Sequence, residues 1–592
     1  MQINLNFPEI NDFVDSYDGS SLPKINIVIL RNIMIETIES YLKYLALNNG
    51  YCASVTFGNY DNIIQDAIAD NGPLSSTTDY VMIFAKLEHL SPNLSYRFSQ
   101  LTLEQIECEK KSVFSFIDTV INAIRAKTDA MIAWHSFEIP LYPALGVIDV
   151  SSSFMQTAVF DELNHYLRSR LSNIKSAYLI DMNLCVARIG ELNFYDQRYW
   201  HIGKAPYSLS AVEQISTENF KLIRALKGKN RKCLVLDCDN TLWGGIIGED
   251  GLNGIKLGSE FPGSAFKELQ FEILSLYHRG VILALCSKNN EADVWDVFER
   301  HPGMVLKKEH IAASRINWSD KARNIESIAK ELNIGLDSIV FVDDSDFEVN
   351  LVKQLLPDVV VIHLPKQKVV SYRSIIASCG LFDALSFTEE DRQRGQMYKA
   401  ESARLRLKQD SSQNVETYLQ SLEMKLKIDV VNNDSVSRIS QLTQKTNQFN
   451  LTTKRYSEAE IQKFVESTDA IVLQVKLSDR FGDMGIIGVA IVKFFSDNCE
   501  LDSFLLSCRA LGRGIESLLM GACVDITKNK SLGILVGQYF KTQKNSQVSD
   551  FFLKEGFEYI SNDGSASKFM LNVFESRQKS HELFKEVTIN LN

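Results

Sequence analysis

Proline is scarce in this chain, 11 residues in 592, and basic residues are outnumbered, with 63 Lys and Arg against 74 Asp and Glu for a formal net charge of −11. The acidic balance excludes bulk nucleic-acid binding, which needs basic surface to displace counterions, while leaving room for a local basic patch. No apolar run approaches the ~18–20 residues that cross a bilayer, so no membrane span is expected. The N-terminus carries Glu9, Asp12 and Asp15 and no Lys or Arg before Lys24, the opposite character to a secretory signal. The ten cysteines are scattered, without a CxxC pair or a His/Cys cluster at zinc spacing. They read as reduced thiols of a cytoplasmic protein. Internal repeats and low-complexity tracts are missing too, so no repeat architecture is expected.

What is present is enough apolar residue, 45%, for ordinary globular domains, in a chain too long for one core. With proline sparse, domain borders have to be read from polarity and charge. Three α/β blocks emerge. Residues 1–226 hold the strand-like runs KINIVIL (24–30), TDYVMIFAKL, TDAMIAWHSF and SAYLIDMNLCVAR, separated by helical patterns, as in a parallel sheet covered on both faces. The position after the first strand is Arg31-Asn32, which offers no nucleophile. Residues 227–380 hold the strands KCLVLDCD, GVILALCS, SIVFVDD and DVVVIHLP. A charged segment, TEEDRQRGQMYKAESARLRLKQD, reads as a helical connector with a solvated face within 381–424. A third block covers 425–575, and the tail 576–592 is polar and expected to be peripheral.

The chemistry lies in the central block. Asp237 and Asp239 stand two residues apart at the C-terminal end of an apolar strand, the end at which parallel α/β sheets bind ligands. Ser287 ends the next strand, Lys321 opens a helix, and Asp343-Asp344 end a later strand. Phosphoryl transfer through an aspartyl-phosphate needs an attacking carboxylate, here Asp237, and a second carboxylate to serve as general acid and base, here Asp239. Asp343 and Asp344 complete an oxygen-rich Mg²⁺ site with Asp237 and the Asp239 backbone carbonyl. Ser287 and Lys321 clamp the transferring oxygens, and Asn240, Thr241 and Lys288 are further phosphate or substrate contacts. A lone DxD is weak, whereas DxDxT followed in order by strand-end Ser, Lys and DD is strong.

The segments LDCDNTLWGGIIGEDG, LCSKNN and FVDDSDFEVN resemble the FkbH-like family of the haloacid dehalogenase superfamily. Flanking segments resemble the same family: DQRYWHIGKAPYS (196–208), TNQFNLTTKRY (446–456) and SCRALGRGIES (507–517). The resemblance implies a degenerate SGNH/flavodoxin-like N-terminal domain, a haloacid dehalogenase domain and a GNAT-like C-terminal domain. It also implies a Mg²⁺-dependent enzyme that dephosphorylates 1,3-bisphosphoglycerate and loads the glyceroyl group onto an acyl carrier protein for polyketide-type biosynthesis. The alternatives are a plain phosphatase of a phosphorylated sugar or small metabolite, and a non-catalytic scaffold that binds a carrier protein.

The family reading suggests a cysteine carrying the acyl group, and Cys238 is the candidate; the competing reading is a small residue packed beneath the loop. If the strand pleat persists, Cys238 points away from both aspartates, whereas a turn at the strand end removes that objection. In the third block, Arg509-x-x-Gly512-x-Gly514 matches the pyrophosphate loop of GNAT acyltransferases, where glycines let an anion approach helix N–H groups. Arg509, Gly512, Gly514, Asn447, Asn450 and Asn545 are then contacts for the carrier's phosphopantetheine arm, unless this domain is purely structural. His135, His165, His201, His301 and His310 have no partner ligand at helical spacing and read as local hydrogen-bonders.

Overall fold

The computed structural model describes residues 5–151, 155–385, 415–507, 510–542, 544–562, 564, 566–576 and 581–591, together with Arg392, Met397 and Arg404. Two compact units divide the chain, Met1–Lys227 with Ser457–Glu460, and Gly228–Tyr456 with Ile461–Asn592.

In the first unit, β1 (Lys24–Arg31), β2 (Cys52–Phe57), β3 (Tyr80–Phe84), β4 (Met131–His135) and β5 (Ala177–Ile180) form one parallel sheet in the order β2-β1-β3-β4-β5. That is the flavodoxin-like order. Strands β3 and β4 are buried along their whole length, as expected of a parallel sheet with helices on both faces. The long helix Leu103–Lys127 is opened by a capping box in which Thr102 and Gln105 exchange side-chain and backbone bonds. The apolar run at 176–188 is not one strand. After β5, Asp181 accepts a hydrogen bond from the Leu184 N–H and starts the helix Met182–Ile189, because a capping carboxylate overrides the apolar pattern.

In the second unit, β6 (Cys233–Leu236), β7 (Ile282–Ser287), β8 (Ile311–Ile316), β9 (Ile339–Asp343) and β10 (Val360–His363) make a parallel sheet ordered β10-β9-β6-β7-β8. Counted within this domain, the order is 3-2-1-4-5, the doubly wound arrangement with its switch point between β6 and β9.

The third sheet is mixed. It is built on β11 (Lys425–Val430), β12 (Phe449–Asn450), β13 (Ala470–Asp479), β14 (Gly482–Phe494), β15 (Cys499–Leu506) and β16 (Ile534–Tyr539), with β17 (Glu558–Asn562) and β18 (Ser567–Asn572) at one edge. Strands β15 and β16 pair in parallel only where Cys499–Leu501 meet Leu535–Gly537. Beyond that they part, and the chain itself enters the gap. Phe449 and Asn450 pair with Leu506 and Leu505, Leu451 N–H donates to the Phe504 carbonyl at 3.1 Å, and Phe540 N–H donates to the Leu451 carbonyl at 2.9 Å.

The fold class read from the sequence, three α/β domains, is the one observed. Two expectations at its margins change. The tail is not merely peripheral, since β19 (Glu586–Asn590) adds to the sheet in parallel with β11. Most of the charged segment 388–410 lies outside the described residues, but Arg404 within it is buried rather than solvated. Its guanidinium bonds both Asp479 oxygens at 2.7 and 2.6 Å, the bidentate fit that makes a buried arginine tolerable.

Candidate active site

The switch point between β6 and β9 brings together four residues from three segments. Asp237 follows β6, Asp343 ends β9 with Asp344 behind it, and Lys321 is the first residue of the helix Lys321–Glu331, whose N-cap Asp320 accepts the Arg323 N–H. All four side chains are buried. Lys321 Nζ lies 2.9 Å from Asp237 Oδ1 and 2.6 Å from Asp343 Oδ2. One carboxylate oxygen each of Asp237, Asp343 and Asp344 lies within 4.8 Å of the other two. Lys366 Nζ stands 3.1 Å from Asp344.

Electrostatics follow from this crowding. Burial, and then the neighbouring Asp237, push the Asp343 and Asp344 carboxyls up, while lysine pulls both back. Lys321 is held well above the ordinary lysine range by Asp237 and Asp343, which outweigh its own burial. Three carboxylates against one fully enclosed ammonium leave a negative balance. An all-oxygen donor set of that charge fits a hard divalent cation of the Mg²⁺ type.

Asp239 is held apart from that cluster. Its Oδ1 accepts from Trp243 Nε1 at 2.8 Å and from the Ile247 N–H at 3.1 Å, and its Oδ2 accepts from Asn289 Nδ2 at 3.0 Å. Burial dominates these bonds and raises its carboxyl above the usual range. A carboxyl that keeps its proton longer is suited to protonating a leaving oxygen. Asn289, which sequence reading passed over, also reaches Ser287 Oγ at 3.2 Å and so ties the two predicted groups together. Its signal was available in the LCSKNN segment, two residues after Ser287, where a strand end projects alternate side chains the same way.

Other predicted contacts fall elsewhere. Asn240 adopts a left-handed φ of 55° and accepts the Gly245 N–H at 3.0 Å, so it shapes the loop. Thr241 is fully buried, and its Oγ1 has no hydrogen-bond partner among the described residues. Lys288 turns to Glu348 at 2.6 Å. Cys238 is sealed in the apolar cluster with Leu234, Leu242 and Trp243. Burial and then Asp237 drive its thiol well above the ordinary range, against weaker pulls from Ser287 and Lys321. These are the surroundings of an inert packed thiol.

In the third domain the expected asparagine contacts among the described residues are each engaged in hydrogen bonds within the protein. Asn545 is fully buried and saturated: Nδ2 donates to the Asn450 and Phe540 carbonyls, and Oδ1 accepts the Thr542 N–H at 2.8 Å. Asn450 Oδ1 accepts the Thr453 N–H at 2.8 Å, and Asn447 Oδ1 accepts from Arg455 at 2.6 Å. Gly512 and Gly514 have left-handed φ of 72° and 78°, and Gly514 caps the helix Ile515–Asn529. Arg509 lies outside the described residues.

No protein-family model and no curated protein matches this sequence. Among solved structures, the chain is similar to the N-terminal part of protein BF1531 from Bacteroides fragilis, which contains a phosphatase domain and was crystallised complexed with Mg. The two share 28% identity with a TM-score of 0.59 over 65% of this chain and 100% of that one. Smaller matches are the ribosomal-protein-S18-alanine N-acetyltransferase from Escherichia coli, at 13% identity and TM-score 0.21 over 26% of this chain and 97% of the other, and the PaiA N-acetyltransferase from Thermoplasma acidophilum, solved with coenzyme A, at 17% identity and TM-score 0.20 over 25% and 99%. The central domain has a haloacid dehalogenase-like fold, in keeping with the likeness to that phosphatase-containing structure. No helix among the described residues is long and apolar enough to cross a membrane.

Proposed function

We propose that this chain is a Mg²⁺-dependent phosphatase that works through an aspartyl-phosphate on Asp237. The observation that carries the reading is the convergence of Asp237, Asp343 and Asp344 around Lys321 at a sheet switch point. An Asp237 oxygen attacks phosphorus while Asp239 gives its proton to the departing alcohol oxygen. Asp239 then takes a proton from water, which attacks the same phosphorus and frees Asp237 and inorganic phosphate. Lys321 and Ser287 hold the transferring oxygens. A bound Mg²⁺, with Asp237, Asp343 and Asp344 as side-chain ligands, supplies charge neutralisation between carboxylate and phosphate. The test is phosphate release from p-nitrophenyl phosphate with Mg²⁺ or with EDTA. Turnover that survives EDTA or Asp237→Asn would end this reading.

The finer reading is glyceroyl transfer from 1,3-bisphosphoglycerate to an acyl carrier protein, supported by the FkbH-like resemblance along the chain, whose domains we place at 1–226, 227–380 and 425–575. The carrier thiol displaces phosphate from the acyl phosphate to give a thioester, and the remaining phosphate ester is hydrolysed through Asp237. The burial of Cys238 favours direct attack by the carrier thiol over an enzyme-bound thioester. Intact-mass measurement of holo-carrier protein after incubation with enzyme, Mg²⁺ and 1,3-bisphosphoglycerate decides between transferase and plain phosphatase. A carrier heavier by one glyceroyl group supports the former, and unmodified carrier with free phosphate supports the latter.

A further inference from the structure

A cavity of about 370 Å³ lies between the haloacid dehalogenase-like domain and the C-terminal domain, at the end of the parallel sheet remote from Asp237. Lys232 precedes β6 and Ser338 precedes β9, whereas Asp237 and Asp343 stand at the other ends of these strands. Asp237 is five residue steps beyond Lys232 along the strand, roughly 16 Å at ~3.3 Å per step, through a filled core. The cavity is therefore a separate place from the phosphatase site. Its volume falls within the ~300–1,000 Å³ that small-molecule sites usually occupy.

Its walls carry an excess of positive charge in a chain whose own balance is −11. Lys232, Arg438, Lys445 and Lys544 line it, against the carboxylates of Asp337 and Asp358. Lys544 is paired with Asp337, and Arg231 behind the wall donates to the Asp337 and Asp358 carbonyls. Lys229 and Arg455 add further positive charge close by. Burial, then Lys544, Arg455 and Arg231, push the Lys229 ammonium down, a sign of positive potential that the local carboxylates do not cancel. Between the cations sit neutral donors, Asn447, Gln448 and Ser507. Clustered ammonium and guanidinium groups interleaved with amide and hydroxyl donors are the complement of a phosphate group. The two domains also meet directly here, Lys232 Nζ donating to the Lys445 carbonyl at 2.9 Å, so that a ligand in the cavity touches both.

We propose that this inter-domain cavity binds a phosphate ester at a non-catalytic site, one that ties the C-terminal domain to the phosphatase domain. The chemistry it recognises is an esterified phosphate group, the monoester of a free metabolite or the phosphate of a pantetheine arm. The inference is independent of the reaction assigned to Asp237.

Hydrogen–deuterium exchange of the full-length chain with millimolar 4′-phosphopantetheine, glycerol 3-phosphate or inorganic phosphate tests it. Protection is expected in peptides spanning 333–338 and 442–448, and Lys445→Ala/Lys544→Ala should weaken the underlying affinity at least about ten-fold without changing phosphate release. Protection by phosphopantetheine alone identifies the arm as the source, and equal protection by glycerol 3-phosphate identifies a free metabolite. Protection confined to peptides around 237–243, or none with any of the three probes in the wild-type chain, overturns the proposal. So does seam protection of equal strength in a double variant with unchanged melting temperature.

Discussion

Lys321 and Asp343 form a buried ion pair of 2.6 Å, and the same ammonium reaches Asp237 at 2.9 Å on the neighbouring strand end. One cation thereby holds two carboxylates that would otherwise repel each other in the core. Lys321→Ala should cost about 3–5 kcal/mol of stability, the usual penalty for orphaning a buried charge. Mg²⁺ should restore part of that loss by taking over the neutralisation. Thermal unfolding with and without Mg²⁺ measures both effects, and a variant whose melting temperature ignores Mg²⁺ would contradict the assigned cation site.

Asp239→Asn should separate the two halves of the reaction. Nitrophenolate leaves without a proton, so p-nitrophenyl phosphate should give a burst followed by stalled turnover. An alkyl phosphate, whose leaving oxygen needs the proton, should lose roughly 10²–10⁴-fold at the first step. In the wild-type protein the raised Asp239 carboxyl means that acid assistance persists above the ordinary carboxylate range and fades as pH rises beyond it. Rapid-quench kinetics with both substrates over a pH series reads out these differences; equal losses with both leaving groups would remove Asp239 from the acid role.

Cys238 should resist chemistry at its thiol. Native-state alkylation should label the exposed Cys108 and leave Cys238 untouched until the chain unfolds. Cys238→Ala should retain phosphate release while lowering stability by ~1–2 kcal/mol for the packing it removes. A glyceroyl adduct mapped to the Cys238 peptide would reverse this assignment.

His135 should make the first unit acid-sensitive. It is buried against Phe84, its ring nitrogens facing the Ile83 carbonyl at 2.8 Å and Asn219 Nδ2 at 2.9 Å. Burial lowers its pKa to about 3, against an ordinary value of 6.5. The unfolded chain takes up the proton first, so stability is complete above pH 6.5 and drains as pH falls from there towards about 3. At pH 5 the loss is about 2 kcal/mol. Melting the full-length protein at pH 7.5 and pH 5.0 should show the drop, and His135→Gln should flatten it.

Much of the central domain was legible because its logic is local. A short apolar strand ending in a carboxylate announces an element and the end of the sheet at which its side chain stands, and the structure does bring Asp237, Asp343 and Asp344 together. Ser287 and Lys321 were likewise placed by strand end and helix start. Side-chain direction was harder to read. Lys288 and Asn240 sit in the right segments yet spend their polar groups on Glu348 and Gly245, and Asn289 does the tethering instead. The third domain hid most, since its features depend on long-range pairing. Nothing local in TNQFNLTT signals that Phe449 and Asn450 will fill the gap between β15 and β16, or that β19 will find β11. Asn545 looked like a ligand contact because a buried, fully bonded asparagine and a binding one are the same letter.

The adjacency of β6 and β9 has a consequence for how the protein comes to life. Cys233 pairs with Ile339, so 106 positions of chain (339 − 233) must be drawn into a closed loop before Asp237 meets the second pair of carboxylates. Closing such a loop is entropically slow relative to forming a helix or hairpin. A nascent or truncated chain that has made β6 and β7 alone owns Asp237 and Asp239 but has neither Lys321 nor Asp343 beside them. Reactivity should therefore emerge late and all at once during folding, and recovery of phosphate release after dilution from denaturant should lag behind recovery of helical signal.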